Sequence, residues 1–382
     1  MEFVDRIVER RRLKEILAGK NPGFVIVRGR RRIGKSALVR RVLAETDVYF
    51  EADRTDAFTQ RANLSYVISH NFPGFGDVVF KDWRSLLAGL NYRVSGRMTL
   101  CLDEFPYLVE SDPALPSVIQ TLLDSGDLKY NLILCGSSQA MMYDLSHDES
   151  SPLYGRQTAD FKLDAIRVPF LQEALRLDAV ETVENYSVWG GVPRYWQLRE
   201  ESESLEEAVL MNVLSPFGAL YEEPQRLFRD DMKDAVKTST IMTVVGGGAH
   251  RLKDITSSCG EISTNLSRPL AKLVDLGYLE KETPFGESVR DSKKNLYRIA
   301  DPFMNFYYKF VPYNRSFIEL GRMAPVKASL QRGFPELVGY WWEHLCRDAV
   351  TGNTLGGVTY GRAGRWWGTV CCGGAWCDAE LD

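Results

Sequence analysis

One short stretch constrains this 382-residue chain more than anything else in it. The apolar run Gly23 to Arg28 (GFVIVR) opens directly into Gly29-Arg30-Arg31-Arg32-Ile33-Gly34-Lys35-Ser36, and the helix-forming segment ALVRRVLAE follows. Glycines at this GxxxxGK[ST] spacing let successive backbone N–H groups turn inward, and the following helix aims its positive end at the same point. The ligand that fits such a cradle is a polyphosphate. ATP is therefore expected along Gly29, Arg30, Arg31, Arg32, Ile33, Gly34, Lys35, Ser36 and Ala37, with Lys35 reaching the β and γ phosphates and the Ser36 hydroxyl ligating Mg2+. A strand, loop and helix in this order also predict an α/β fold, a P-loop NTPase core built on a parallel sheet.

A phosphate site of this kind needs a carboxylate at the end of a neighbouring parallel strand to hold the metal through its water shell. Met98 to Leu102 (MTLCL) reads as a strand buried on both faces, and Asp103-Glu104 falls at its C-terminal edge, where α/β sheets place ligands. Asp103 is assigned to the metal and Glu104 to activation of the attacking water. A third apolar run, Asn131 to Cys135, ends in Gly136-Ser137-Ser138-Gln139. Ser137 is the candidate γ-phosphate sensor, with helix capping by Ser138 as the alternative use of this pair. Arg156, in SPLYGR, is either a cation completing the transition-state charge, in cis or from a neighbouring subunit of an oligomer, or an exposed surface arginine.

Hydrophobic residues form 45% and charged residues 26% of the chain, the balance of a globular protein with a real core rather than a disordered one. The net charge of −4 means that any nucleic acid must be met by a local basic face. No apolar run approaches the roughly 18 to 20 residues of a membrane-spanning helix, and the N-terminus lacks the apolar stretch of a signal peptide, so a cytoplasmic protein without membrane contact is expected. Seven cysteines without a repeated spacing predict reduced thiols rather than a disulfide framework.

With these residues in hand, the chain resembles the archaeal-type P-loop ATPases, which are related to the signal-transduction ATPases and the AAA+ class. The resemblance rests on Phe3-Val4-Asp5-Arg6 with Glu9 and Leu13, GRRRIGKS, LDEF, the GSS after NLILC, PLYGR, Gly190-Gly191-Val192-Pro193, and Tyr297 to Phe303 (YRIADPF). It implies that Arg6 and Pro193 lie by the adenine. Asp5 departs from the glycine usual at that position. The resemblance also implies a restriction-endonuclease-like ending, approached here by residues 364–368 and 378–382, with Glu343 and Asp382 as would-be metal ligands. A strand with the second acid and the lysine is missing, so no nuclease activity is expected from this truncated form.

Four regions follow: a P-loop ATPase core over 1–165, a helical lid over 166–220, a winged helix-turn-helix over 221–300, and a partial α/β C-terminal region over 301–382. Gly190-Gly191 and Pro193 interrupt the lid, as a hinge or as a plain helix–helix turn. In the third region, helices are expected over 230–244, 252–258 and 263–276, with a polar hairpin after them. Ser263, Thr264, Asn265, Ser267, Arg268 and Lys272 would face a DNA groove, and Arg290, Lys293 and Lys294 would reach phosphates from the wing. Double-stranded DNA and a protein are the two partners such a module serves. The favoured function is Mg2+-dependent ATP hydrolysis acting as a molecular switch on this module. The alternatives are a DNA-binding regulator that holds ATP structurally with negligible turnover, and a small-molecule P-loop kinase, for which no acceptor pocket is evident.

Overall fold

Three apolar runs, buried along their whole length, dictate the N-terminal half. The computed structural model describes residues 3–288, 294–372 and 375–381, which pack as two units. The N-terminal unit comprises residues 2–166 with Val192–Arg194. Its strands are β1 (Phe24–Arg28), β2 (Val48–Glu51), β3 (Thr99–Asp103), β4 (Asn131–Gly136) and β5 (Ala159–Lys162). They form one sheet in the order β2-β3-β4-β1-β5, every pair parallel. FVIV, TLCLD and NLILCG are buried throughout because helices cover both faces, the setting in which strands lose their alternation.

Helices α1 (Ile7–Leu17), α2 (Lys35–Arg40), α3 (Ala57–Ser69), α4 (Trp83–Arg93), α5 (Phe105–Ser111), α6 (Leu115–Asp124) and α7 (Gln139–His147) provide that cover. Several starts are written in short polar residues: Asp56 caps α3 by accepting from the Phe58 and Thr59 amides, and Asp82 with Ser85 forms a capping box on α4. At the lower edge, Asn131 ties three elements together, accepting from Gly23 N at 2.8 Å and donating to Leu17 O and Thr99 Oγ1.

Register decides what the upper edge presents. Arg28 pairs with Gly136, Leu102 with Leu134, and Glu51 with Asp103, so the segments after β1, β3 and β4 emerge side by side. The strand carrying Asp103 is not, however, next to the strand that feeds the glycine loop. β4 stands between them, which corrects the expectation of an immediate neighbour and places Ser137 centrally.

The second unit holds residues 167–191 and 195–382. It begins with α8 (Val168–Leu175), α9 (Ala179–Trp189), α10 (Pro193–Glu200, its first two residues belonging to the first unit) and α11 (Leu205–Asn212). The expected interruption lies between α9 and α10, where Gly190 adopts φ 54° and an added Cβ would press on the Pro302 ring at 3.2 Å. Next come α12 (Glu223–Asp231), α13 (Ala235–Gly246), α14 (Leu252–Cys259), α15 (Ser263–Asp275) and an antiparallel pair, β6 (Leu279–Glu282) with β7 (Leu296–Ile299). The single helix expected over 230–244 is instead two, because Met232 is extended and Asp234 caps a new start by accepting from Lys237 N at 2.8 Å.

The aromatic segment after Asp301 becomes α16 (Pro302–Glu319), whose Phe303, Phe306, Tyr307, Tyr308 and Phe310 are all buried, as core packing requires. α17 (Met323–Val350) follows, then two short hairpins, β8 (Thr354–Leu355) with β9 (Val358–Thr359) and β10 (Trp366–Cys372) with β11 (Ala375–Leu381). The segments expected to approach a nuclease-like acidic strand thus pair with each other. Glu343 lies on α17, 3.7 Å from Arg347, and Asp382 is outside the described residues.

Two predictions follow from this packing. A Cβ at Gly136 would meet the rigid Pro106 ring at 2.5 Å and Met142 Sδ at 2.8 Å, so Gly136→Ala should destabilise the chain by about 1–3 kcal/mol in urea unfolding; an unchanged midpoint would contradict the packing. His250, joined to Tyr297 through backbone and ring hydrogen bonds, is held neutral by burial and then by the Arg298 charge, its pKa pushed down to about 4. The unfolded chain then binds the extra proton first, so stability is full above about pH 6.5 and falls as pH drops toward 4. His250→Gln should flatten thermal stability across that window, and an unaltered slope would refute the assignment.

Candidate nucleotide site

The loop Gly29 to Gly34 is shaped by backbone that only certain residues adopt. Gly29 has φ 148°, and a Cβ there would meet Leu163 O at 2.6 Å; Gly34 has φ 95° and faces open space. Arg32 is also left-handed, at φ 68°. Inside this turn the Lys35 ammonium, only 5% exposed, donates to Gly29 O at 2.9 Å and Arg30 O at 3.0 Å. These are weak acceptors that phosphate oxygens readily replace. Ile33 is buried, Arg30 and Arg32 are half-buried, and Arg31 and Ala37 are exposed.

Across the sheet edge, Asp103 is 1% exposed at the end of β3. Burial would drive its carboxyl up, but hydrogen bonds from Ser36, Tyr49, Cys135 and the Glu104 amide outweigh that and hold it below the usual carboxylate range. The Ser36 hydroxyl thus lies beside the Asp103 carboxylate. Burial, with the Asp103 charge second, pushes the Cys135 thiol well up and keeps it a donor. Neither Tyr49 nor Cys135 was evident from the motifs. The signal available for Tyr49 was the run VYFE, which puts it two residues before the end of a strand.

Glu104 stands at the start of α5 without capping it, in the left-handed region at φ 50° and ψ 42°, a conformation that costs about 1–3 kcal/mol and concentrates at functional positions. Its Oε2 accepts from Ser137 Oγ at 2.8 Å and Ser137 N at 3.2 Å. Ser138 takes the capping alternative instead, accepting from Met141 N at the start of α7. Lys35, Ser36, Asp103, Glu104 and Ser137 thus converge on one edge.

Arg6 sits against the same loop. It is 4% exposed, it donates to Ile33 O and Asp164 O, it pairs with Glu9 at 3.2 Å, and its Nε has no partner among the described residues. Asp5 and Arg6 both have φ near 60°, the backbone that glycine takes at no cost and that Asp tolerates better than most. Pro193 packs with the N-terminal unit, in Val192–Arg194.

Arg156 is not brought to this edge. It precedes β5, whose first residues pair with the start of β1, and it forms a bidentate ion pair with Asp124 at the C-terminal end of α6, at 2.8 and 3.0 Å. That is the opposite end of the sheet from the glycine loop, so a role in cis is withdrawn. In the second unit, Ser263, Thr264, Asn265, Ser267 and Arg268 are exposed on α15, Lys272 is half-buried, and Lys294 pairs with Glu287 at 2.8 Å; Arg290 and Lys293 fall outside the described residues.

Known proteins share this family and fold. The family described as an ATPase domain predominantly from Archaea matches residues 3–197, just over half of the chain. The chain belongs to this archaeal ATPase family. A second family, described as archaeal and bacterial proteins of unknown function, matches residues 307–373. An uncharacterized protein of Methanocaldococcus jannaschii is 27% identical over 374 residues, covering 96% of this chain and 82% of its own. Among solved structures, a Walker-type ATPase of Pyrococcus abyssi has a similar fold, with TM-score 0.63 and 20% identity over 80% of this chain and 96% of that one. The ORC2 protein of Aeropyrum pernix, solved with ADPNP and ADP, gives TM-score 0.55 and 15% identity over 85% and 96%. Among the described residues, no helix is long and apolar enough to cross a membrane.

The placement of Arg156 yields a direct test: Arg156→Ala should leave the affinity for ADP within about twofold of wild type by calorimetry, because the side chain lies at the far edge. A tenfold loss, or about 1.4 kcal/mol, would return it to the site.

Proposed function

We propose that this chain hydrolyses ATP with Mg2+ and uses the nucleotide cycle as a switch on its second unit. The observation that carries the reading is the placement of Ser36 and Lys35, from the glycine loop, beside the buried Asp103 carboxylate at the acidic strand end. A hydroxyl and a carboxylate so placed form the donor set of a hard cation. Mg2+ held there would neutralise charge on the β and γ phosphate oxygens.

The chain's own residues supply the rest. Lys35 exchanges the Gly29 and Arg30 carbonyls for phosphate oxygens, and the inward-facing amides of the loop hold the remaining charge. Ser137 donates to the γ phosphate; in doing so it gives up Glu104, whose carboxylate then orients the water and accepts its proton as the γ-phosphorus bond to ADP breaks. ATP and water become ADP, phosphate and a proton.

The switch reading draws on the α13-α14-α15 order followed by the β6–β7 pair, the plan of a winged helix-turn-helix. Ser263, Thr264, Asn265 and Arg268 offer a polar exposed face for DNA, with Lys272, Lys293 and Lys294 as phosphate contacts. Glu261 and Glu287, which pair with Lys237 and Lys294, temper its charge and suit a protein partner equally.

Lys35→Ala should abolish detectable ATP binding in calorimetry, and unchanged affinity would contradict the site. Glu104→Gln should retain ATP while losing turnover by about a hundredfold or more; equal, negligible turnover in wild type and variant would instead favour a regulator that holds ATP as a structural ligand.

A further inference from the structure

Asp103 is bonded on both of its oxygens: the Glu104 amide donates to Oδ1 and the Tyr49 hydroxyl to Oδ2, with Ser36 and Cys135 close by. Ser36 is itself the residue assigned to the cation, and the Glu104 amide and Cys135 belong to the strand ends that fix the carboxylate. Tyr49 is different. It comes from β2, its hydroxyl donates to Asp103 Oδ2, and no step of the proposed hydrolysis uses it.

Its position follows from two periodicities. Tyr49 pairs with Cys101, two residues before Asp103, so both side chains stand on the same face of the sheet. Arg40 follows Ser36 by one helical turn on α2 and so shares its face. The Arg40 guanidinium lies 4.3 Å from the centroid of the Tyr49 ring and donates to Glu51 at 3.0 Å, which holds the ring from outside.

We propose that Tyr49 is a positioning residue that sets the affinity for the divalent cation, its hydroxyl competing with the metal and its water shell for the Asp103 carboxylate. The inference rests on the reading of Ser36 and Asp103 as the metal pair. Tyr49 thereby weakens cation binding without touching the phosphates, and Arg40 strengthens the competition by restraining the ring. A residue that merely supported Asp103 would have the opposite sign, since its loss would loosen the carboxylate and weaken the metal.

The test uses the full chain in excess over ADP, with Mn2+ titrated and free Mn2+ read by electron paramagnetic resonance. Tyr49→Phe, which removes only the hydroxyl, should lower the half-saturating Mn2+ concentration by about tenfold, the effect of removing one competing bond to a charged acceptor. ADP affinity in the presence of EDTA should stay within about twofold. Arg40→Ala should shift Mn2+ binding in the same direction by a smaller factor, and it decides the matter should the phenylalanine variant fail to fold. Unchanged or weakened Mn2+ binding, in the face of normal ADP binding, overturns the role of Tyr49 alone. Absence of ADP binding by the wild-type chain overturns the nucleotide site and this inference together.

Discussion

A carboxylate with almost no exposure to water is costly unless its charge is met, and Asp103 is met by the Tyr49 hydroxyl and the Glu104 amide, with Ser36 and Cys135 beside it. That convergence organises the N-terminal unit. Ser36 reaches it from the helix after the glycine loop, Tyr49 from β2, Cys135 from β4, and the Glu104 amide from the turn that follows β3. Each would lie elsewhere if any strand slipped by one residue, because a slip reverses the faces. The parallel register is therefore what turns four separate segments into one site.

Backbone strain gathers in the same region. Arg32 and Glu104 adopt positive φ, and Asp5 and Arg6 do so beside the loop. Of the five non-glycine residues in that conformation among the described residues, Arg176 alone lies in the second unit. Surrounding packing has to over-determine such positions, and here the fully buried β1, β3 and β4 provide that rigidity. Glu104 is aimed by the strain rather than by a cap, which lets its carboxylate reach Ser137.

Much of this was legible in the residues. The glycine loop, the acidic pair and the serine pair each follow a long apolar run, and such runs declare buried parallel strands without any knowledge of the fold. β2 and β5 were not legible, since VYFE and ADFK are short and carry no such run. Without them the strand order stays hidden, so the insertion of β4 between β1 and β3 and the role of Tyr49 could not be read. Arg156 misled for the same reason: a residue between two elements can lie at either end of a sheet, and only the pairing of β5 with β1 reveals which. In the second unit, the break at Met232 was obscured by helix-compatible residues on both sides, while α14 and α15 stood out through their regular leucine and isoleucine spacing.

The account stands on Ser36 and Asp103 sharing one cation beside a triphosphate cradled by residues 29–36. A crystal structure of the chain with Mg2+ and a non-hydrolysable ATP analogue measures this directly. The account predicts an octahedral ion at about 2.1 Å from Ser36 Oγ, with Asp103 bound to it through its water shell and Lys35 on the phosphates. Density for the analogue away from the glycine loop, or an ion that contacts neither Ser36 nor the water shell of Asp103, would contradict it.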